Sequence, residues 1–484
     1  MHRSPTRLHV ILWGLSTLFT TCFTWALIAA KLDPDFGWRI RHGQLILERG
    51  ISTVDPFSYS MPSYPFVSHA WSFDILLAYT DRTIGLVWLS LGVAILVQLL
   101  CATQTWKLRF SIRGALLNLV VMGALITTLG LRAQVVALAL VTYALWLILL
   151  PEDRWRIWRW TIPTLALFWA NTHGSFLLLT LLLLVRWATT VYTSKKLQPV
   201  DFLLATATIP LSLINPYGSL LWFEVWQTLS DSSLGQRIIE WQPIWRIQTA
   251  SQLLGLVFVL WGAVLTFTHR KQYPLHAVVM LVCGLLAISS TRHLPLAVLM
   301  ALFAQVRAPF VIPEGFLSRL SKDRLLSYIF GIATLAITTL TAASYVFAFT
   351  WTTTASQATV PKQALPWLRE YLPSARLYAP YDWGGYLIKN LPNSKLFIDN
   401  RMPSWRWQAP PGEVDAAMDI YARVYLGDVD ELQRILQQFS VQAVLVRRND
   451  PSDKTESAIR ALGWLAVYQD ATVTVYQPAA RTQE

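Results

Sequence analysis

The chain has 484 residues, of which 54% are hydrophobic and 14% charged, against about a quarter charged in an ordinary soluble domain. Such a chain cannot hide its apolar surface in water, which excludes a wholly soluble protein. The net charge of +12 falls in alternate short loops between apolar blocks, so it reads as a topology signal and implies no nucleic-acid partner.

The apolar residues come in blocks of about 18 to 23, enough to cross a hydrocarbon core of about 30 Å as helix. About eleven are legible, some of them shorter, at 8–30, 86–106, 117–130, 134–150, 161–171, 175–191, 202–214, 253–267, 275–289, 294–303 and 325–350. The first follows Arg3 and Arg7, is too long for the apolar core of a signal peptide and lacks a small-residue cleavage site, so it is read as a retained anchor. Cys22, Cys101 and Cys283 all fall inside blocks, which leaves no disulfide framework.

Alternate short loops hold Lys107, Arg109 and Arg113; Arg154, Arg156 and Arg159; Lys195 and Lys196; Arg270 and Lys271; and Arg307, Arg319, Lys322 and Arg324. That pattern puts the amino terminus in the cytoplasm and, after an odd number of spans, the tail outside. The short loops of the other side carry Arg132 and Arg292 as basic residues.

Residues 1–352 therefore read as a multi-spanning α-helical membrane domain with two outer loops, 31–85 and 215–251. Within the first, Ile40, Leu45 and Leu47 recur at helical spacing up to Gly50, and 73–79 begins a second amphipathic segment. The second outer loop carries Trp222, Trp226, Trp241 and Trp245, as interfacial aromatic belts do. Residues 353–484 read as a small soluble extracytoplasmic α/β domain, with strands at 375–378, 395–399, 443–446 and 472–475 and a helix at 428–439. Pro361 and Pro366 mark the entry to it.

The sharpest chemical feature is Asp33-Pro34-Asp35 directly after the first block, followed by Trp38, Arg39 and His42. A carboxylate at the membrane surface can serve as a general base; the bland alternative is that the pair caps the following helix. Polar residues interrupt apolar sequence on the same side: Arg132 with Gln134, Asn171 with His173, Asn215 with Tyr217, and Arg292 with His293. Ionisable groups at a membrane edge are costly and mark function, although His173 taken singly reads as a hydrogen-bonded turn residue. Together these groups fit an anionic lipid phosphate, which arginine grips through its planar fork. His69 and Trp71, and Glu240 and Trp241, have the make-up of a sugar platform, and equally of an interface anchor. Asp382 and Asp399 read as structural, with the paired Gly384 and Gly385 forming a tight turn.

In this order the motifs resemble the polyprenyl-phosphate-sugar-dependent membrane glycosyltransferases of fold C (GT-C), the superfamily of the protein mannosyltransferases and the lipid A aminoarabinose transferases. The carriers are Asp33-x-Asp35 with Trp38 and Gly43, Asp55-Pro56-Phe57-Ser58, His69-x-Trp71, Arg132-x-Gln134, Asn171-x-His173-Gly174, Asn215-Pro216-Tyr217-Gly218, Arg292-His293 and Tyr381-Asp382-Trp383-Gly384-Gly385-Tyr386. The resemblance covers most of the chain. It departs at Trp38-Arg39, where relatives have Trp-His, and at His69-Ala70-Trp71, where they have a glutamate between histidine and tryptophan.

The resemblance implies sugar transfer from a polyprenyl-phosphate carrier to a glycan, lipid or protein acceptor at the outer face of the cell membrane. Asp35 would be the catalytic base, with Asp33 as alternative. Arg132, Arg292 and His293 would bind the lipid phosphate. Arg39, His42, His69, Trp71, Gln134, Asn171, His173, Glu240 and Trp241 would shape the sugar or acceptor pocket. No cofactor is called for; the two aspartates could hold a divalent metal, though their spacing does not demand one. The competing classes are a surface-polysaccharide ligase or polymerase built on arginine and histidine, a transporter, which would show inverted repeats, and a non-catalytic scaffold.

Overall fold

The structure, a computed structural model, describes residues 7–30, 35–105, 112–125, 130–232, 234–247, 249–307, 360–405 and 408–479. Asp33 and the apolar block 325–350 lie outside the described residues. The chain divides into two compact units: Met1–Lys31 with Leu86–Val225 and Asp231–Phe349, and Leu32–Gly85 with Trp226–Ser230 and Thr350–Glu484.

In chain order the helices are α1 (Arg7–Ala30), α2 (Phe36–Arg49), α3 (Trp71–Thr83), α4 (Leu86–Thr105), α5 (Ile112–Leu125), α6 (Ala133–Ile148), α7 (Glu152–Trp158), α8 (Ile162–Ala170), α9 (Leu177–Ser194), α10 (Pro199–Ser212) and α11 (Ser219–Ser230). There follow α12 (Leu234–Arg237), α13 (Ala250–Thr268), α14 (Pro274–Ser289), α15 (Leu294–Arg307), α16 (Leu365–Tyr371), α17 (Gly384–Asn390), α18 (Ala417–Tyr425), α19 (Val429–Gln438) and α20 (Thr455–Ala461).

The first unit is a helix bundle. Two of its helices, Gly174–Ser194 and Ala250–Thr268, are long and apolar enough to cross a membrane; the apolar helices at 86–101, 133–148, 199–212, 274–289 and 291–306 are shorter. Along α13 the exposed side chains Leu253, Val257, Leu260 and Val264 repeat at helical spacing, a continuous apolar stripe of the kind that faces lipid. The opposite face carries Gly262, where a Cβ would stand 2.5 Å from that of Ala301 in α15. Small residues let helix backbones approach closely where lipid removes the hydrophobic drive for association.

Hydrogen bonds fix the direction of the helices. The Tyr143 hydroxyl, late in α6, lies 3.0 Å from that of Thr161, just ahead of α8, so α8 runs back along α6. Arg186, in the second half of α9, donates to the carbonyl of Leu150 beyond the end of α6 at 3.2 Å, so α9 returns. The turn at 171–176 therefore lies at the Arg132 end of α6. Asn171 Nδ2 donates to the carbonyl of Ile214 at 2.9 Å, which brings the Asn215-Pro216-Tyr217-Gly218 turn to the same end.

The second unit is an α/β layer. Its five-stranded sheet has the order β2-β1-β3-β5-β4, formed by β1 (Arg376–Tyr378), β2 (Lys395–Leu396), β3 (Ala443–Arg447), β4 (Leu465–Gln469) and β5 (Val473–Gln477). β1 is parallel to β2 and β3, while β5 is antiparallel to β3 and β4. Ala443–Val446 is buried on both faces, which is why it reads as an unbroken apolar run.

Residues of the first outer loop complete this sheet. Leu396 N donates to Phe57 O at 3.1 Å and Tyr59 N to Leu396 O at 3.0 Å, so 57–59 pairs in parallel with the free edge of β2. Trp38, Phe57, Tyr59, Tyr64 and Phe66 share one apolar core with Leu377, Trp383, Phe397 and Trp405. The glycines enable that packing. A Cβ on Gly37 would lie 1.9 Å from the carbonyl oxygen of Gly385, and one on Gly384 would lie 2.4 Å from Asp399 Cβ. Gly384 has helical dihedrals, φ −51° and ψ −51°, so the glycine pair serves close approach and not the tight turn expected from sequence.

Candidate functional site

The sequence-predicted site residues gather in two groups, one in each unit. In the second unit, Asp35 stands at the N-cap position of α2, yet its side chain makes no capping bond. Oδ1 instead accepts from the indole Nε1 of Trp38 at 3.2 Å. The simplest bland account of this carboxylate, a helix cap, therefore does not describe it.

One turn further along α2, Arg39 Nη1 lies 2.9 Å from Asp74 Oδ1 and His42 Nδ1 lies 2.8 Å from Asp74 Oδ2. Ser68 Oγ donates to the same Oδ2 at 2.7 Å. The His42 side chain is only 1% exposed, and its ring packs edge-on against Phe66 at 5.0 Å. The structure thus uses Arg39 and His42 to pin α2 to α3. Gly43 allows the crossing, because a Cβ there would sit 2.0 Å from the carbonyl oxygen of Asp74. His69 and Trp71 are half-buried in the turn that opens α3.

Burial alone would raise the Asp74 carboxyl, but the Arg39 charge, the His42 contact and the Ser68 hydroxyl outweigh it and hold the group below its ordinary value of 3.8. A carboxyl depressed in the folded state gives stability that is present above the unfolded value and lost as pH falls through the folded one. Acidification below about pH 4 should therefore loosen the α2–α3 pair. Peptide-level hydrogen exchange from pH 5 to pH 3 checks this: protection of 36–49 should fall more steeply in wild type than in Asp74→Asn, and equal slopes would dissociate Asp74 from the acid limb.

A third carboxylate cluster, not assembled by the sequence reading, lies close by in the same unit. Arg401 forks onto Asp399, with Nε to Oδ1 at 2.7 Å and Nη2 to Oδ2 at 2.6 Å, and its Nη1 reaches Asp55 Oδ1 at 2.7 Å. The guanidinium sits 5.7 Å from the Trp38 ring centroid, 4.8 Å from Phe57, 5.0 Å from Phe66 and 4.9 Å from Trp405. Burial would lower its pKa, but the two carboxylates hold it above the ordinary arginine value. Asp55 also accepts from the amides of Phe57 and Ser58, which explains the Asp55-Pro56-Phe57-Ser58 motif as a turn that launches the added strand.

In the first unit, Arg132 precedes α6 and its Nη1 lies 2.5 Å from Glu240 Oε1, with side chains 29% and 41% exposed. The Glu240 carbonyl accepts from the hydroxyls of Ser290 and Thr291, each at 3.0 Å, and Thr291 N donates to Gln242 O at 2.9 Å. These bonds seat the Glu240–Trp241 turn on the Arg292–His293 turn. The Arg292 guanidinium then lies 5.0 Å from the Trp241 ring centroid, and His293 Nδ1 is 3.2 Å from Leu286 O. Five candidate residues, separated by up to 161 positions of sequence (293 − 132), thus meet at one end of the bundle: Arg132, Glu240, Trp241, Arg292 and His293.

Gln134 lies half-buried in the first turn of α6. Asn171 and His173 lie at this same end. His173 Nδ1 accepts from Ser175 N at 3.1 Å and meets Ser175 Oγ at 2.9 Å, so it caps its own turn, as its local sequence indicates. No group of three or more histidine, cysteine, aspartate or glutamate side chains is placed to hold a metal ion among the described residues.

No family model matches the chain, and no curated protein matches it. Its fold has a counterpart among solved structures. The apo crystal structure of the Archaeoglobus fulgidus oligosaccharyltransferase superposes with a TM-score of 0.58 at 13% identity, over 98% of this chain and 75% of that one. That enzyme is a fold-C glycosyltransferase, so the chain has the GT-C fold that the motif order implied.

Proposed function

We propose that the protein transfers a sugar from a polyprenyl-phosphate carrier to an acceptor hydroxyl at the outer face of the membrane. The observation that carries this reading is the meeting of Arg132, Trp241, Arg292 and His293 at one end of a helix bundle, in a chain that shares its fold with an oligosaccharyltransferase. Two arginines and an imidazole suit the charge that builds on a departing lipid phosphate. The tryptophan offers an aromatic face to a sugar ring.

Asp35 takes the role of general base. It removes the acceptor proton as the oxygen attacks the anomeric carbon and the carrier phosphate leaves, and a single displacement of this kind inverts that carbon. The outer face follows from the positive-inside distribution of lysine and arginine, which puts Arg132 and Arg292 on the side away from the basic loops. His69 and Trp71 at the start of α3, and separately Glu240 beside Arg132, are assigned acceptor or sugar contacts on the strength of the motif resemblance. Arg39 and His42 support Asp35 indirectly, by fixing α2 on Asp74.

The test is turnover by the purified full chain in lipid, offered polyprenyl-phosphate sugars and scored by release of free polyprenyl phosphate. Arg292→Gln should lower kcat by about 10²- to 10³-fold, the usual cost of losing one group that stabilises transition-state charge. Turnover confined to diphosphate-linked donors would overturn the monophosphate assignment, and an unchanged Arg292→Gln would remove the phosphate site from this cluster.

A further inference from the structure

The end of the bundle remote from Arg132 carries a different construction. Arg186 is buried, stacks 4.1 Å from the Trp155 ring centroid and donates to the carbonyls of Ile148 and Leu150 and to Glu152. Trp155 Nε1 and Arg159 Nη1 both reach the buried carboxylate of Asp201, at 3.0 and 2.9 Å. These bonds tie the connection at both of its ends to α9 and α10, and leaving any one of the buried charges without its partner would be costly. The 149–161 connection is therefore a fixed platform on the bundle.

Its outward face joins two kinds of side chain. Ile157 is 70% and Trp160 61% exposed, and beside them Arg154 and Arg156 are exposed. The Asp201 anchor brings in the adjoining loop, whose Lys195 and Lys196 are also exposed. The acidic residues nearby only partly offset this charge: Glu152 is shared between Arg186 and Arg156 and Asp153 is exposed, two carboxylates against the five cations Arg154, Arg156, Arg186, Lys195 and Lys196, which leaves an excess of three positive charges.

We infer that this platform is a binding site for anionic phospholipid headgroups, with the arginines and lysines taking the headgroup phosphate and Ile157 and Trp160 entering the headgroup–acyl boundary. Apolar and aromatic side chains beside clustered cations are what an anionic interface recognises. The site is separate from the proposed donor site and needs only that the bundle lie in a bilayer. Its failure would leave the glycosyl-transfer reading untouched.

The experiment uses the full chain in vesicles of phosphatidylcholine with one-tenth phosphatidylglycerol. Electron paramagnetic resonance of spin-labelled versions of the two lipids gives their relative affinity for the protein. Wild type should prefer phosphatidylglycerol by about fivefold or more, since each basic residue near an anionic surface contributes about that factor. The preference should fall toward one in Arg154→Gln/Arg156→Gln and, should that variant not fold, in Lys195→Gln/Lys196→Gln. Arg270→Gln/Lys271→Gln, on an exposed basic turn outside the platform, should keep it. Loss of the preference in all three variants would overturn the built site in favour of a diffuse field, and so would no preference in wild type. Abolition by inorganic phosphate, but not by chloride at equal ionic strength, would overturn the lipid assignment in favour of a free-anion site.

Discussion

Arg401→Met should cost the second unit about 3 to 5 kcal/mol, the range for removing one partner of a fully buried ion pair. Methionine keeps much of the stem's bulk among Trp38, Phe57, Phe66 and Trp405, so lost packing is a minor term. What changes is charge. Asp55 and Asp399 have no side-chain exposure and the Arg401 side chain only 4%, so the variant strands two carboxylates in an apolar core. Because Asp55 also holds the turn before 57–59, the loss should travel to the sheet edge. Peptide-level hydrogen exchange of the full chain in lipid would show protection falling at β2 and β1 while α13 and α14 stay protected. The triple variant Asp55→Asn/Arg401→Met/Asp399→Asn should recover part of the loss, since an uncharged core needs no counter-ion. A cost under about 1 kcal/mol would mean that water reaches the triad.

This triad also marks where sequence reading ran out. The helices of the first outer loop were legible, because α2 repeats its apolar residues at helical spacing and ends at Gly50, whose φ of +82° suits glycine. The helix at 429–438 was legible too, and Asp428 caps it by accepting from Glu431 N at 3.0 Å. β4 was missed because it is an edge strand whose Leu465 and Val467 face outward, so no alternation of apolar and polar residues announces it. The pairing of Asp55 with Arg401 spans 346 positions and that of Arg132 with Glu240 spans 108. Local periodicity carries no information over such distances. A residual signal did exist: aspartate and arginine within otherwise apolar runs, as in Phe397-Ile398-Asp399-Asn400-Arg401, must find partners if they are buried. The sequence could say that these charges needed a partner, but not which one.

Asp35→Asn should lower kcat by about 10²- to 10⁴-fold, the usual contribution of a positioned general base, with little change in KM for the donor. Asparagine has nearly the size and shape of aspartate, so the substitution removes basicity while keeping the side chain's bulk. The bond that Asp35 Oδ1 accepts from Trp38 Nε1 can be accepted equally by an asparagine carbonyl oxygen. The backbone bond from Arg39 N to Asp35 O is indifferent to the side chain. Trp38→Phe separates positioning from basicity. It keeps an aromatic ring in the core but deletes the indole donor, so Asp35 loses a bond that favours its charged form and becomes a stronger, less well oriented base. That variant should retain part of its turnover, with the acid limb of its pH–rate profile moved upward, whereas Asp35→Asn should have no such limb to move. If Asp35→Asn turns over at the wild-type rate while folded, the base lies elsewhere, and Asp33 is the next carboxylate to replace.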